Sequence, residues 1–225
     1  MSYRAPVEDM AFALRQLAGI GRLSGDHFEA FDDDLIGPIL EEAGKLASDV
    51  LAPLNQAGDE QGAQLTGDGV VAPHGFAEAY RQFAEGGWMG LAAPVEWGGQ
   101  GLPRTLSNAV FETLHGSNMS FGLCPMLSAG AIEALLAHGD EAEKKKYLPK
   151  LISGEWTGTM NLTEPQAGSD VGALKSRAVP QEDGSYRISG QKIYITWGDH
   201  DMTDNIIHLV LARLPDAPEG SRGIS

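Results

Sequence analysis

The apolar residues of the first two thirds of the chain recur every three or four positions. This spacing starts near Asp34 and runs to Gly154, and it places apolar side chains on one face of an α-helix. Asp34 is the predicted N-cap of the first helix, and Glu141 is predicted to pair with Lys145 in the last. The stretch 88–103, which is rich in Gly and Pro, is predicted to be a long ordered loop. The pattern predicts helices over 34–54, 76–85, 106–114, 127–138 and 140–153.

In the last third of the chain the period changes to two, which is the period of a β-strand. Polar and apolar residues alternate over 157–163, so a strand is predicted there. The stretches 186–188 and 192–196 flank a turn-like Ser-Gly-Gln sequence at 189–191, and they are predicted to form a hairpin. The stretch 206–211 is almost entirely apolar and is predicted to be a strand buried on both faces.

The change of period divides the chain into a helical part and a strand-rich part that meet near residue 155. We therefore predict a helical domain over 34–155, with the segment 1–33 before it, and part of a β domain over 156–225. At the last residues the apolar Ile224 follows a turn, as at the start of a further strand. From this we expect the β domain to be truncated.

The charged residues are unequally divided, with 16 Lys and Arg against 31 Asp and Glu, which gives a net charge of −15. Such a surface repels nucleic acid and anionic membranes, so neither is an expected partner. No stretch reaches the roughly 18–20 apolar residues of a membrane span. Residues 1–18 lack the basic and apolar regions of a signal peptide. We therefore expect a soluble, cytoplasmic protein.

The residue types that carry common enzyme chemistry are sparse. The single cysteine, Cys124, excludes a disulfide framework, and its apolar neighbours indicate a small core residue. The sequence contains no HExxH, GxSxG, Walker or GxGxxG motif. The histidines, at positions 27, 74, 115, 138, 200 and 208, have no ligand spacing. Hydrolase and metalloenzyme functions are therefore not favoured, and no metal site is predicted.

Two stretches of the strand-rich part carry residues suited to a ligand. In 160–170 a strand ends in hydroxyl and carboxylate residues, breaks at Pro165 and enters the small-residue loop 167–169. The backbone of such a loop can be approached closely by a flat ligand. In 194–198 an aromatic ring stands beside a hydroxyl, which suits stacking and hydrogen bonding of a heteroaromatic cofactor. The residues alone favour an ordinary turn over a binding loop at both places.

The same two stretches resemble the signatures of a known family. The residues at 163–170, Thr-Glu-Pro-Gln-Ala-Gly-Ser-Asp, resemble the TEPxAGSD signature of the acyl-CoA dehydrogenase family. The residues at 190–196, Gly-Gln-Lys-Ile-Tyr-Ile-Thr, resemble its second signature, G-x-K-x-[WY]-I-T. The stretches 90–101 and 147–155 are similar to the helical-domain loop of the family and to the lead-in to its first strand. This ordered set makes the resemblance specific over roughly residues 35–225.

The resemblance extends to a subgroup and implies a fold. The N-terminal segment 1–33, as an extension, and the sequence Trp-Gly-Asp-His-Asp at 197–201 resemble a longer subgroup, which includes the 3-methylmercaptopropionyl-CoA dehydrogenases. The implied fold is α+β, with an N-terminal all-helical domain followed by an antiparallel, β-barrel-like middle domain, here truncated. A C-terminal helical bundle would follow, with FAD between the barrel and the bundle.

The resemblance also implies an FAD site. Ser169 would lie near both the flavin and the pantetheine arm of the substrate, so it is also the predicted substrate-binding residue. Tyr194 would pack along the isoalloxazine, and Thr196 would reach its N5/O4 edge. The residues that the resemblance assigns to the cofactor are Met160, Leu162, Thr163, Gly168, Ser169, Tyr194 and Thr196.

Four further positions at these motifs have their own expectations. Glu164 and Asp170 are expected to fix the loop by hydrogen bonds rather than to act as bases. Tyr194 stands where many relatives have Trp, which keeps an aromatic ring but adds a hydroxyl. Trp197 stands where Asn is frequent, so contacts at that position are expected to differ.

The implied reaction is the α,β-dehydrogenation of an acyl-CoA thioester. In the family a Glu of the C-terminal bundle removes the α-proton. No catalytic residue is therefore assigned within these 225 residues, and the isolated piece is expected to be inactive. The implied partners are an acyl-CoA substrate and an electron-transfer flavoprotein as acceptor, and the full-length protein is expected to be a homo-oligomer. An acyl-CoA oxidase and a non-catalytic scaffold that retains the fold are the alternatives.

Overall fold

The computed structural model of the protein describes residues 3–23 and 31–225. His27 and part of the extension predicted over 1–33 lie outside the described residues. The helices are α1 (Val7–Phe12), α2 (Ile36–Lys45), α3 (Ala52–Gln61), α4 (Phe76–Glu85), α5 (Arg104–Ser117), α6 (Met119–His138) and α7 (Glu141–Ile152). The strands are β1 (Gln64–Thr66), β2 (Gly69–Val71), β3 (Thr157–Asn161), β4 (Arg177–Pro180), β5 (Tyr186–Ser189) and β6 (Ile206–Val210).

One apolar stripe explains the long helix that runs from α2 through a π-helical turn, Leu46–Leu51, into α3. The N-cap lies two residues earlier than predicted, because the Asp32 carboxylate accepts the N–H of Asp34 at 3.0 Å. The three consecutive aspartates are equivalent caps in the sequence, so the pattern could not choose between them. The stripe consists of residues three or four positions apart that are all fully buried: Ile36, Leu40, Ala43, Ala47 and Leu51.

Aromatic rings form the centre of the helical part. Phe76, Tyr80 and Phe83 on α4 face Phe121 on α6, with ring centroids 6.0, 6.4 and 6.3 Å away. The Tyr80 hydroxyl donates to the carbonyl of Gly154 at 3.0 Å. This bond attaches the connection between α7 and β3 to the aromatic core.

Helix α6 packs against α5, α7 and β3. Gly158 permits the contact between α6 and β3, because a Cβ at this position would lie 2.6 Å from the Cβ of Ala131. The N–H of Gly158 also donates to the hydroxyl of Ser128 at 2.9 Å. The first strand of the strand-rich part therefore lies directly on a helix of the helical part.

Helix α6 corrects the expectation that no stretch of the chain has the length and apolar composition of a membrane span. The helix has 20 residues with a mean hydropathy of 1.5 in its most apolar stretch, so it meets the length and composition of a membrane span. These criteria are weak support for a span, because core helices also meet them. Phe121, Cys124 and Ile132 of α6 belong to the buried core. The prediction of a core position for Cys124 is confirmed, and burial raises the pKa of its thiol to about 12.

Helix α7 begins with a capping box. The Asp140 carboxylate accepts the N–H of Glu143 at 2.8 Å, and the Glu143 carboxylate accepts the N–H of Asp140 at 3.0 Å. The carboxylate of Glu141 lies 3.6 Å from Nζ of Lys144. The ion pair predicted with Lys145 therefore forms with the neighbouring lysine instead.

The helical part also contains a short hairpin, so the expectation of an all-helical N-terminal domain is wrong. Strands β1 and β2 are antiparallel, and the Thr66 hydroxyl donates to the carbonyl of Gly69 at 2.8 Å. The strands have three residues each and are mostly exposed. They are too short to produce a recognisable alternation in the sequence.

The strand-rich part contains two-stranded sheets rather than a barrel. Strands β4 and β5 pair antiparallel, whereas β3 and β6 pair in parallel. Within 3–23 and 31–225 no sheet closes on itself. The α+β class is confirmed, but an antiparallel arrangement is wrong for β3 and β6. A parallel pair needs a long connection, and the segment 162–205 supplies it.

The hairpin of this part joins β4 to β5 instead of β5 to 192–196, so the predicted pairing is wrong. In the turn the Asp183 carboxylate accepts the N–H of Ser185 at 2.9 Å, and Gly184 has a φ of 83°. An Asp-Gly pair is a strong hairpin signal, and here it outweighs the turn predicted at 189–191. Residues 192–196 form no strand.

Strand β6 confirms the strand predicted near 206–211, but not its burial. Ile206 and Ile207 are half-buried, and His208 is exposed. The ring Nδ1 of His208 lies 2.7 Å from the hydroxyl of Thr159 on β3. The apolar sequence therefore does not correspond to a strand covered on both faces.

Candidate functional site

The structure brings together the first motif, residues 163–170, and the second motif, residues 190–196. The first motif follows β3 directly, and the second follows β5. The N–H of Ile193 donates to the carbonyl of Thr163 at 3.0 Å. This bond places the backbone of Tyr194 beside the end of β3.

A buried ion pair reinforces this contact. Nζ of Lys192 lies 2.9 Å from the carboxylate of Glu164, and their side chains are only 10% and 3% exposed. The same ammonium group donates to the carbonyl of Leu162 at 3.0 Å. One side chain of the second motif therefore fixes both a carboxylate and a backbone carbonyl of the first.

The Glu164 carboxylate accepts hydrogen bonds from the first motif and from residues that follow it. It accepts the N–H of Lys175 at 2.6 Å and the N–H of Ser176 at 3.0 Å. It also accepts the side-chain amide of Gln166 at 2.6 Å. The expectation that Glu164 fixes the loop by hydrogen bonds is confirmed.

The surroundings of Glu164 determine its charge. Burial by itself raises the pKa of this carboxyl, but the hydrogen bonds from Lys175, Ser176 and Lys192 outweigh burial and hold its pKa well below the ordinary value. The group is therefore ionised, and its oxygens already have donors. A carboxylate in this state is a poor general base.

Asp170 does not bind the loop in the way expected. Its backbone carbonyl accepts the N–H of Ala173 at 3.1 Å. Its carboxylate makes no hydrogen bond with any residue of 3–23 or 31–225. The main chain of Asp170, not its side chain, thus forms the turn at Val171–Ala173.

Hydroxyl groups at the two motifs retain free hydrogen-bonding capacity. Across the described part of the chain, the side chains of Thr163, Ser169 and Thr196 have no hydrogen-bond partner. The side chain of Tyr194 is 89% exposed. A Cβ added to Gly168 would meet no atom within 4 Å. Protein packing thus leaves these groups available to a ligand, although they are not enclosed by the described residues.

Two residues of the second motif and its flank have an unusual backbone. Tyr194 has a φ of 57° and Trp197 a φ of 52°, both in the left-handed region that residues with a Cβ avoid. Such conformations persist where surrounding contacts fix them. Thr196 and Trp197 also border a groove of about 760 Å³ beside α3 and α6.

Met160 occupies a different position from the other predicted site residues. It lies within β3, opposite Leu209 of β6, and its side chain is half-buried. Leu162 is the first residue after this strand. Residues 160–163 therefore run from the sheet into the contact with Ile193.

The two parts of the chain match two family models in order. The model of the acyl-CoA dehydrogenase N-terminal domain matches residues 38–155, and that of the acyl-CoA dehydrogenase middle domain matches residues 159–225. The chain belongs to the acyl-CoA dehydrogenase family. No group of three or more His, Cys, Asp or Glu side chains arranged for a metal ion occurs in 3–23 and 31–225.

Known acyl-CoA dehydrogenases match over the whole chain. It is 50% identical to the 3-methylmercaptopropionyl-CoA dehydrogenase of Ruegeria pomeroyi and 36% identical to a butyryl-CoA dehydrogenase of Syntrophomonas wolfei. The chain spans 38% of the length of each of these relatives. The resemblance to the longer subgroup is confirmed.

A solved structure of the family has a similar fold. The structure of acyl-CoA dehydrogenase complexed with FAD from Bacillus anthracis is 25% identical to this chain, with a TM-score of 0.66. The match covers 83% of this chain and 30% of that one.

The family motifs do not reveal that Lys192 is a partner of Glu164. A lysine within an otherwise apolar stretch was the available signal, but its partner lies 28 residues away in the sequence. His200 has a structural role, because it is buried and its Nε2 lies 3.0 Å from the Thr157 hydroxyl.

Proposed function

We propose that the protein that contains this chain is an FAD-dependent acyl-CoA dehydrogenase. The observation that carries the proposal is the joining of the two family motifs by the Ile193–Thr163 hydrogen bond and the Lys192–Glu164 ion pair. Bound FAD would supply the hydride acceptor that this reaction needs. The remaining tasks, which are binding, orientation and proton removal, belong to protein groups.

The proposed FAD site uses groups that the protein leaves without partners. The N–H groups of Leu162 and Thr163 donate to no atom of 3–23 or 31–225, so they can donate to the pyrimidine side of a flavin. The exposed ring of Tyr194 can pack along an isoalloxazine, and the Thr196 hydroxyl can reach its edge. The proposed set is Met160, Leu162, Thr163, Gly168, Ser169, Tyr194 and Thr196.

Ser169 is the proposed contact with the substrate. It follows Gly168 in an exposed turn of the first motif, and its hydroxyl has no partner in the described part of the chain. A hydroxyl in this position can hydrogen-bond an amide of the pantetheine arm of an acyl-CoA. Open space around Gly168 supports a close approach by the ligand.

The catalytic base is proposed to lie outside these 225 residues. Glu164 is the carboxylate at the junction of the two motifs, and its low pKa and four donors make it unsuitable for removing a weakly acidic α-proton. The chain spans 38% of its relatives' length, so much of such an enzyme would be elsewhere. An isolated 1–225 piece is accordingly expected to be inactive.

Turnover of the protein expressed to the natural stop of its gene tests the proposed activity. With 3-methylmercaptopropionyl-CoA or butyryl-CoA and an electron-transfer flavoprotein, we expect an enoyl-CoA product that has lost two hydrogen atoms, measured by mass spectrometry. The 1–225 piece under the same conditions is the matched control and should form no product. Oxygen consumption without the acceptor protein would favour an acyl-CoA oxidase. Absence of product with every acyl-CoA would contradict a dehydrogenase.

A further inference from the structure

We propose that residues 197–201, here called the clamp, position the second motif for the cofactor by binding it to the helical part. The inference rests on the proposed function for what is positioned. The clamp follows Thr196 directly, so whatever holds it also limits the movement of Tyr194 and Thr196. Its contacts reach β2, α4, α6 and β3, which are four separate elements.

Two carboxylates of the clamp bind the hairpin of the helical part. The Asp199 carboxylate accepts the N–H of Val70 at 3.1 Å, and the Asp201 carboxylate accepts the N–H of Ala72 at 2.8 Å. Asp199 and Asp201 are two residues apart, as are the N–H groups that they accept. The two carboxylates therefore lie along the same edge of β2 and of the residue that follows it. A Cβ added to Gly69 would lie 3.2 Å from the Asp199 carboxylate, so a larger residue would crowd this contact.

Trp197 binds the clamp to two helices. Its indole N–H donates to the carbonyl of Ser120, in the first turn of α6, at 2.8 Å. The centroid of its ring lies 6.0 Å from the ring centroid of Phe76, at the start of α4. The residue found where Asn is frequent in the family thus makes contacts that an Asn side chain is too short to reproduce together.

His200 binds the clamp to β3. Its Nδ1 accepts the N–H of Met202 at 3.1 Å, so in the neutral ring the proton is on Nε2, which donates to the Thr157 hydroxyl at 3.0 Å. Burial lowers the pKa of His200, against the opposing effects of Asp199 and Asp201, and so favours this neutral form. Strand β3 leads into the first motif, so the clamp is fixed relative to both motifs.

The backbone conformation of the intervening residues explains why a clamp is needed. Tyr194 and Trp197 are both left-handed, with φ of 57° and 52°, and a free segment would relax from this conformation. On one side Ile193 and Lys192 hold the segment to the first motif. On the other side the clamp holds it to the helical part. With both ends fixed, the backbone at Tyr194 is held in one conformation.

The test uses the protein expressed to its natural stop and two matched pairs of substitutions. In the Asp199→Ala/Asp201→Ala variant both acceptors are removed, whereas Asp199→Asn/Asp201→Asn keeps an oxygen acceptor at each position. Asp204→Ala removes a charge close by from a side chain that has no partner in the described residues. Trp197→Phe removes the indole donor and keeps an aromatic ring on Phe76.

Three measurements are made on each variant. Amide hydrogen exchange over 190–198 reports the order of the second motif with or without flavin. The FAD dissociation constant and the visible circular dichroism of bound flavin report its orientation. For the double Ala variant we expect about tenfold faster exchange, about tenfold weaker FAD binding and an altered dichroism band. Trp197→Phe should change the same quantities less, and the Asn pair and Asp204→Ala should resemble the wild type.

The outcomes distinguish a failure of the proposed clamp from a failure of the proposed function. Wild-type exchange over 190–198 in the double Ala variant would overturn the clamp, as would unchanged FAD binding and dichroism. Equal damage in the Asn pair would also overturn it, because hydrogen-bond acceptance would then not be the cause. A wild-type protein that holds no flavin would contradict the proposed function, and hydrogen exchange would still decide whether the clamp orders the second motif.

Discussion

At the scale of single residues, Lys192 links the two motifs by charge as well as by position. Its ammonium group is the only charged donor to the buried Glu164 carboxylate among the described residues. The pair is almost completely removed from solvent, so removal of one partner leaves an uncompensated charge in the interior.

Replacement of Lys192 should therefore strongly destabilise the fold. For Lys192→Met we expect a loss of about 3 kcal/mol in the free energy of unfolding, measured by denaturant titration. The Glu164→Gln/Lys192→Met double variant should lose less than the sum of the single variants, because it contains no unpaired charge. Lys150→Met is the matched control: its partner Glu155 forms an exposed pair, so at most about 1 kcal/mol should be lost. Additive losses in the double variant would contradict a coupled pair.

The Glu164–Lys192 pair also predicts how the stability of the fold changes with pH. The folded-state pKa of Glu164 lies below its ordinary value of 4.5, so its stabilising effect is complete above that value. As the pH falls below 4.5, the unfolded state binds a proton before the folded state does, and the effect is progressively lost. The stability difference between wild type and Glu164→Gln should therefore shrink in acid, and a difference that grows would contradict this assignment.

Part of this residue-scale picture could be predicted from the sequence. The family signature identified Glu164 as a loop-fixing residue because a carboxylate in a turn usually binds nearby backbone N–H groups. Its ion pair with Lys192 could not be predicted, since it depends on how two distant loops come together. The left-handed backbone of Tyr194 and Trp197 was equally hidden, because both residue types normally avoid it.

At the scale of elements, the contact between α6 and β3 joins the helical and strand-rich parts. Gly158 lies at this contact, and Gly130 lies on α6 with no atom within 4 Å of an added Cβ. Gly158 therefore lies in a strand with a close neighbour, whereas Gly130 lies in a helix with open space beside it.

Alanine at these positions should have opposite effects. Gly158→Ala places a Cβ 2.6 Å from Ala131, so we expect a loss of about 1–3 kcal/mol in the free energy of unfolding. Gly130→Ala has room and removes a flexible residue from a helix, so we expect a gain of about 0.5–1 kcal/mol. Thermal unfolding of both variants measures the difference. Equal shifts would show that close packing of α6 on β3 is not important.

Elements with long periodic patterns were predicted best. The stripes of α2, α4 and α5 extend over several turns, and burial of one helix face produces the pattern directly. The strands were harder to predict, because β1 and β2 are only three residues long and β5 had two competing turns. The parallel register of β3 and β6 depends on a long connection that leaves no local signal.

At the scale of the whole molecule, the chain contains the family's helical and middle domains and spans 38% of its relatives' length. With a net charge of −15, the protein surface disfavours anionic ligands such as FAD and acyl-CoA at long range. Binding must therefore come from short-range contacts, for which the hydroxyls and N–H groups at the joined motifs are suited. Charge alone could not have predicted this site.

The most direct test is the visible spectrum of the protein expressed to its natural stop during anaerobic titration with acyl-CoA. A flavin site at the joined motifs, in an acyl-CoA dehydrogenase, predicts a bound-flavin spectrum that bleaches with one of the thioesters. Thr163→Val should weaken flavin binding, whereas Thr105→Val, a matched change on α5, should not. Purified protein that shows no flavin spectrum even after addition of FAD would contradict the site.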